Sequence, residues 1–301
     1  MRSGDGQTRS VVSDMPGSGW DYSITRHPYH AHERPKGAHY CVYNRRLMAV
    51  CFDDHSTEDG YWRLRTQAAC LHTGEYVLQF EGPDAERLLD KLFTKDITKV
   101  KTGRCGYGLA CYEDGGLLVD GILLRLAPDR FWYAQADGDF YSWARAHATG
   151  MDVRITDPDV FVSQIQGPNA LKILEAAATG GLPEKFGYFA CTSVDLGGQT
   201  VVITRTGYTN APGWEFYTEP HHDPDALWAH LMKAGAPYGL DLFGLDAMNI
   251  RRIEAGILNA RSDFNSKTTP YEAGLGRVVD EDKGDFIGKK ALASAPRRSR
   301  S

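Results

Sequence analysis

Two carboxylates in this 301-residue chain sit where chemistry is possible: Asp120 interrupts the apolar run LLVDGILLRL, and Glu215 interrupts WEFY directly after the glycine-rich loop GYTNAPG. A carboxylate lodged in a strand can accept hydrogen bonds from ring N–H groups or stabilise positive charge that develops during a reaction. On an alternating strand the commoner arrangement is a carboxylate facing solvent, and residue types alone leave both arrangements open. His27, His30 and His32 lie close together, and His221-His222 form a second pair. Without carboxylate or thiol ligands at fixed spacing they read as solvated tail and loop-end residues, so no metal is expected. The six cysteines, Cys41, Cys51, Cys70, Cys105, Cys111 and Cys191, form no C-x-x-C pair and read as reduced core thiols. No G-x-G-x-x-G or G-x-x-x-x-G-K-[ST] stands between a strand and a helix, and no G-x-S-x-G occurs, which argues against a dinucleotide fold, a P-loop and a hydrolase elbow.

The elements that must carry these residues are written twice. QFEGPDAERLL (79–89) and QIQGPNALKIL (164–174) align without a gap, 85 residues apart. In each, Gly-Pro ends a strand and Pro suits the first helical position, where its missing N–H is not needed. Ala85, Leu88, Leu89 and Leu92 then fall on one helical face, and Ala170, Ile173, Leu174 and Ala177 repeat the offsets. Downstream, YGLACYE and LLVDGILLRL flank Asp114-Gly115-Gly116, FWYAQ follows Pro128-Asp129, and 139–148 reads as a helix. In the second half CTSVDL and TVVITRT flank Gly197-Gly198, WEFYTEP follows GYTNAPG, and 224–234 reads as a helix. A helix-like segment 58–70 leads into the strand YVLQF, and helix 242–255 and segment 270–292 follow the second half. The expectation is an α+β protein of two similar units. Its boundaries are an irregular N-terminal arm over 1–37, a first domain over 38–155, a second over 156–275, and 276–301 as the start of a further domain.

Composition narrows the partners. A formal charge of −5 and a pI near 6.1 carry no signature for binding polyanions, so no nucleic-acid partner is expected. No window is apolar enough to span a membrane, and the first residues lack the apolar stretch of a secretory signal. The expected compartment is the cytoplasm, with no membrane partner.

GGLLVDGILLRL, RTGYTNAPGWEFY, NIRRIEAG and TTPYEAGLGRVVD…DFIGKKAL, in that order, resemble the aminomethyltransferase family, the T-protein of the glycine cleavage system and its folate-dependent demethylase relatives. The likeness runs from about residue 38 to 292. AHYCVYNRRLM, AQADGDFYSWA and MDVRITDPDVFVSQIQGP are more similar to the dimethylsulfoniopropionate demethylase branch than to T-proteins. GYTNAPGWE departs from the T-protein pattern G-Y-T-G-E-x-G-F-E, and its Ala-Pro-Gly is closer to aromatic O-demethylases.

The resemblance implies two related ferredoxin-like α+β folate-binding domains, with the family's third, β-rich domain mostly absent. It implies tetrahydrofolate as cofactor and Glu215 as the carboxylate on its pterin ring, with Tyr208 and Arg252 also on the cofactor. Arg252 and Glu254 of RRIEAG match a family motif, in which the Arg pairs with an acidic group of folate or braces the site. Asp120 matches the second acidic position of G-G-x-x-D-D, the first being Val119 here, and is the carboxylate near the folate nitrogen. Tyr43, Trp214 and Tyr217 are the aromatic residues for a cationic small-molecule methyl donor, with Tyr217 also assigned to the catalytic step. The implied reaction is one displacement that moves a methyl group from a sulfonium to N5 of tetrahydrofolate. Three alternatives stay open: a true T-protein with a lipoyl carrier protein as partner, an aromatic O-demethylase needing a proton donor such as His72 or a tyrosine, and a folate-binding protein without turnover.

Overall fold

Each Gly-Pro motif makes the same turn, and the backbone shows why glycine precedes the proline. Gly82 lies at φ +134° and Gly167 at φ +126°; an added Cβ would come 2.6 Å from Asp152 O at the first and 2.7 Å from Gln67 O at the second. The chain then closes alike, with Ala85 N–H donating to Gly82 O and Ala170 N–H to Gly167 O, both at 3.0 Å. Gly82→Ala and Gly167→Ala are each expected to cost about 1–3 kcal/mol, since a left-handed backbone and a blocked Cβ act together. Urea denaturation of the two variants measures it.

The computed structural model describes residues 24–296. In chain order its elements are α1 (His30–Glu33), β1 (His39–Tyr43), β2 (Arg46–Cys51), α2 (Thr57–Thr66), β3 (Ala68–His72), β4 (Tyr76–Glu81), α3 (Ala85–Leu92), β5 (Arg104–Cys111), β6 (Leu117–Ala127), β7 (Arg130–Gln135), α4 (Phe140–His147), β8 (Arg154–Thr156), β9 (Phe161–Gln166), α5 (Ala170–Ala177), β10 (Ala178–Thr179), β11 (Cys191–Leu196), β12 (Gln199–Thr204), β13 (Gly213–Thr218), α6 (Pro224–Gly235), β14 (Leu240–Leu242), α7 (Leu245–Glu254) and α8 (Lys289–Ser294). The α+β class and the repeated order of elements are as expected.

The described residues form two compact units. The larger takes the residues up to Glu75 and Asp159–Ile257; the smaller takes Tyr76–Pro158 and the residues from Leu258 onward. The smaller unit's sheet has the order β5-β6-β7-β4-β8, so β4-α3-β6-β7-α4-β8 is a ferredoxin-like βαββαβ with β5 added at the edge. The larger unit's main sheet has the order β10-β11-β12-β13-β9-β3-β14, and β1 and β2 pair separately. Here β3, from before the first Gly-Pro motif, lies antiparallel to β9 and parallel to β14, between the two. The expected boundaries are sequential, at 37/38, 155/156 and 275/276; the inserted strand is why the residues before Tyr76 group with Asp159–Ile257 and not with the rest of 38–155.

Two further segments behave differently from expectation. Residues 1–23 of the expected arm lie outside the described residues, but 24–37 are not an irregular solvated stretch. Tyr29 is fully buried in the larger unit's core, and His27, His30 and Glu33 are buried too. Burial pushes the His27 imidazole down to about 3 and the Glu33 carboxyl up to about 8. Residues 276–296 pack on the smaller unit: Val279, Phe286 and Leu292 join Phe264 and Tyr271 against Leu109, Cys111 and Leu117 of β5 and β6.

In each unit the helices of the repeat cover one sheet face. In the smaller unit α3 and α4 bury Leu88, Leu92 and Phe140 against Val119, Leu123 and Tyr133. In the larger, α5 and α6 bury Ile173, Leu174, Leu227 and Leu231 against Ile165, Trp214 and Phe216. No helix among the described residues is long and apolar enough to cross a membrane.

Candidate active site

Strand register places Glu215 within a row of partners. Glu215 on β13 pairs with Thr204 on β12 and Gln164 on β9, and Gln164 pairs with Leu71 on β3. Directly opposed residues share a sheet face. Leu71 packs with Leu64, Phe243, Ala247 and Met248, under α2 and α7, so the row lies on the face turned away from α5 and α6.

On that face Glu215 Oε2 accepts hydrogen bonds from Thr206 Oγ1 at 2.6 Å, Thr204 Oγ1 at 3.4 Å and the Tyr217 hydroxyl at 3.5 Å. All three converge on one oxygen, and Oε1 has no hydrogen-bond partner among the described residues. Desolvation, with Glu75 nearby, pushes the Glu215 carboxyl up to about 7; the hydroxyl donors pull the other way. Around it, Gln164 Oε1 accepts from Tyr208 N–H at 3.3 Å, and Gln164 Nε2 meets Met248 Sδ at 2.9 Å. Thr209 Oγ1 donates to Gln166 Oε1 at 2.8 Å. Arg251, which also pairs with Glu254, donates to Thr209 O at 3.3 Å and so ties α7 to the GYTNAPG loop.

In the smaller unit Asp120 on β6 pairs with Leu109 on β5, on the face opposite α3 and α4. It is 7% exposed, so the solvent-facing arrangement does not hold. Asp120 Oδ2 accepts from the Tyr107 hydroxyl at 2.7 Å, and Oδ1 is buried with no partner among the described residues. Burial raises the Asp120 carboxyl above the usual range, and Tyr107 partly offsets this. Val119 next to it is buried on the helix side.

The other sequence candidates divide. Tyr217 and Tyr208 lie with Glu215 and Gln164 in the larger unit. Trp214 does not: alternation turns it to the opposite face, fully buried, with its indole N–H donating to Ala170 O at 2.9 Å. A donor-binding role for Trp214 is therefore corrected to a core role. Arg252 Nε donates to Asn249 Oδ1 at 3.0 Å and Nη1 to Ile257 O at 3.2 Å, which braces the end of α7; Arg251 makes the contact to the loop. Tyr43 ends β1, half-buried beside Gly74. His72, proposed as a proton donor for an O-methyl substrate, is buried, stacked on Tyr29 at 4.6 Å and bonded to Ser163 Oγ at 2.8 Å.

The histidine cluster Glu219, His221 and His222 has ligand atoms within 4.8 Å of one another. His222 is nonetheless engaged at both nitrogens, with Glu219 N–H and with Thr200 O, each at 3.0 Å. Cys70, Cys105, Cys111 and Cys191 are buried thiols, and Cys41 and Cys51 are half-buried.

Sequence reasoning missed Thr204, Thr206, Gln164 and Tyr107. Polar residues at alternate positions of the wholly buried β9, Gln164 and Gln166, were a readable signal. Tyr107 left none, because its contact to Asp120 depends on the register of β5 against β6.

Residues 29–283 match the model of the GCVT N-terminal domain family. The chain is 32% identical over 283 residues to the dimethylsulfoniopropionate demethylase of Ruegeria pomeroyi, covering 90% of this chain and 74% of that protein. It is 34% identical over 226 residues to the aminomethyltransferase of Halothermothrix orenii, covering 73% of this chain and 62% of that one. The crystal structure of the glycine cleavage system aminomethyltransferase T from Bartonella henselae has the same fold, with a TM-score of 0.79 at 24% identity over 90% of this chain and 74% of that one. By sequence match and by fold, this chain belongs to the GCVT family of one-carbon transferases.

Proposed function

We propose that this protein moves a methyl group from a small sulfonium donor, of the dimethylsulfoniopropionate type, to N5 of tetrahydrofolate. The observation that carries the proposal is a pair of strand carboxylates, each held by hydroxyl groups through one oxygen, with the other oxygen, Oε1 of Glu215 and Oδ1 of Asp120, lacking a hydrogen-bond partner among the described residues. Such oxygens fit a ligand rich in N–H groups, because an acceptor left unpaired in a protein interior costs free energy until a donor reaches it. When bound, tetrahydrofolate supplies the ring nitrogen that accepts the one-carbon unit.

Glu215, steadied by Thr204 and Thr206, is the group that orients the aminopyrimidinone edge. Asp120, whose carboxyl burial raises above the usual range, stabilises positive charge near the acceptor nitrogen and is the proposed acceptor for the N5 proton that methyl transfer releases. A sulfonium leaves as a neutral sulfide, so no general acid is required. Tyr43 and Tyr217 are the aromatic side chains proposed for the cationic donor. The purified protein, incubated with tetrahydrofolate and one donor class at a time, should form 5-methyltetrahydrofolate from the sulfonium. Formation of 5,10-methylenetetrahydrofolate from an aminomethyl-lipoyl carrier would instead support the second reading, aminomethyl transfer, which the aminomethyltransferase relatives favour.

The pH dependence of binding tests Glu215 separately. Its folded-state carboxyl titrates near 7, above the ordinary value of 4.5, so the ionised form needed for N–H donors grows as pH rises through 7. Tetrahydrofolate affinity is expected to tighten by about tenfold between pH 6 and pH 8, and Glu215→Gln to flatten that rise. The same shift makes the charged Glu215 a cost to the unliganded fold. Glu215→Gln should therefore be more stable than the parent at pH 8, by about 1–3 kcal/mol, and no different near pH 4. Isothermal titration and thermal melts across pH read the two effects.

A further inference from the structure

The smaller unit holds a cleft of about 570 Å³, within the size range of small-molecule sites, and Asp120 does not line it. Tyr112 and Trp143 meet edge to face at 5.3 Å in its wall, with Leu117 and Phe264 beside them, so part of the lining offers aromatic and apolar surface to a ligand.

The polar groups of the cleft are unequally satisfied. Arg261 sits at φ +68°, a left-handed backbone that costs a non-glycine residue free energy. Its Nε is held by Asp137 at 3.2 Å, while its two terminal nitrogens contact no acceptor among the described residues. The indole Nε1 of Trp143 is shielded from water and has no acceptor either. On the acceptor side, Asp139 is occupied at both oxygens, by Ser142 N–H at 3.1 Å and the Ser142 hydroxyl at 2.9 Å. The Trp143 N–H is out of a ligand's reach, which leaves the exposed guanidinium of Arg261 and the aromatic wall to describe the occupant. The guanidinium fork suits a carboxylate, which it can bind through two parallel hydrogen bonds.

We propose that this cleft binds a small aromatic carboxylate, with its carboxyl group on Arg261 and its ring against Tyr112 and Phe264. The proposal does not depend on the reading of the folate carboxylates' function.

Isothermal titration of the full chain with benzoate, benzamide and phenyltrimethylammonium tests it. Benzoate should bind saturably at a single site, below about 10 mM. Arg261→Gln should weaken binding by at least about tenfold and Arg261→Lys by less, because lysine keeps the charge and loses the fork. Arg261 is an exposed side chain, 71% accessible, so its variants test recognition without testing folding. No saturation by benzoate, undiminished binding by Arg261→Gln, benzamide binding as tightly as benzoate, or preference for the ammonium would each overturn the proposal.

Discussion

Asp120→Asn is expected to lower turnover by about 10²–10³-fold while leaving tetrahydrofolate affinity within about threefold. Asparagine matches aspartate in shape and keeps an oxygen for the Tyr107 hydroxyl, which bonds Asp120 at 2.7 Å. What it loses is the negative charge beside the acceptor nitrogen and the ability to hold a proton at the partnerless Oδ1. A fall in kcat with an unchanged dissociation constant is the signature of a group that matters in the transition state more than in the ground state. Turnover within threefold of the parent would remove Asp120 from the reaction. Tyr107→Phe supplies a graded check. Tyr107 holds the Asp120 carboxyl down against the upward push of burial, so removing its hydroxyl should move the acid limb of the pH–rate profile to higher pH.

Lys283→Ala is expected to cost about 3–5 kcal/mol, a large share of the stability of a single domain. The Lys283 side chain is 2% exposed, and Nζ pairs with Asp90 Oδ1 at 2.8 Å. It also donates to the backbone carbonyls of Asp90, Phe93 and Lys95, so it satisfies the carbonyl groups that α3 leaves open where it ends at Leu92. Removing the ammonium strands these acceptors and the Asp90 carboxylate, which is why the cost exceeds that of a surface ion pair. Lys283→Met, which keeps an apolar side chain of similar length but loses the ammonium over the Phe286 ring, should recover less than half of the loss. Urea denaturation measures both. A cost below 1 kcal/mol for Lys283→Ala would mean that this lysine caps nothing of consequence.

Lys283 also shows how a motif can be legible while its place is not. DFIGKKAL and the residues before it stand out in the sequence and help to identify the family, but chain order suggests a separate domain after 275. The lysine instead reaches back about 190 residues to the end of α3, and Phe286 and Leu292 fill the core beside β5 and β6. The arm before residue 38 is similar. Its composition of glycine, serine, histidine and proline reads as irregular, yet Tyr29 stacks on His72 and bonds Thr218 Oγ1 at 2.9 Å, partners that lie far along the chain.

Strand-borne carboxylates divide along the same line. That Asp120 and Glu215 lie in strands was readable from alternation and turn residues, and β6 and β13 carry them as expected. Whether they face solvent was not readable, because period-two alternation assigns residues to two faces without saying what covers either. For Trp214 that ambiguity produced the wrong face, one residue from Glu215 and opposite to it.

By itself the sequence determined the α+β class, the duplicated strand–Gly-Pro–helix unit, the positions of the hairpins and the family, since these depend on local periodicity, on residues with special backbone freedom and on motifs contiguous in the chain. Only the tertiary structure decided that β3 belongs between β9 and β14, that Thr204 and Thr206 converge on one oxygen of Glu215, and that Tyr107 holds Asp120. These facts rest on register and on contacts between distant segments, which are chosen by the summed burial of whole sheet faces and leave no mark in any short stretch of residues.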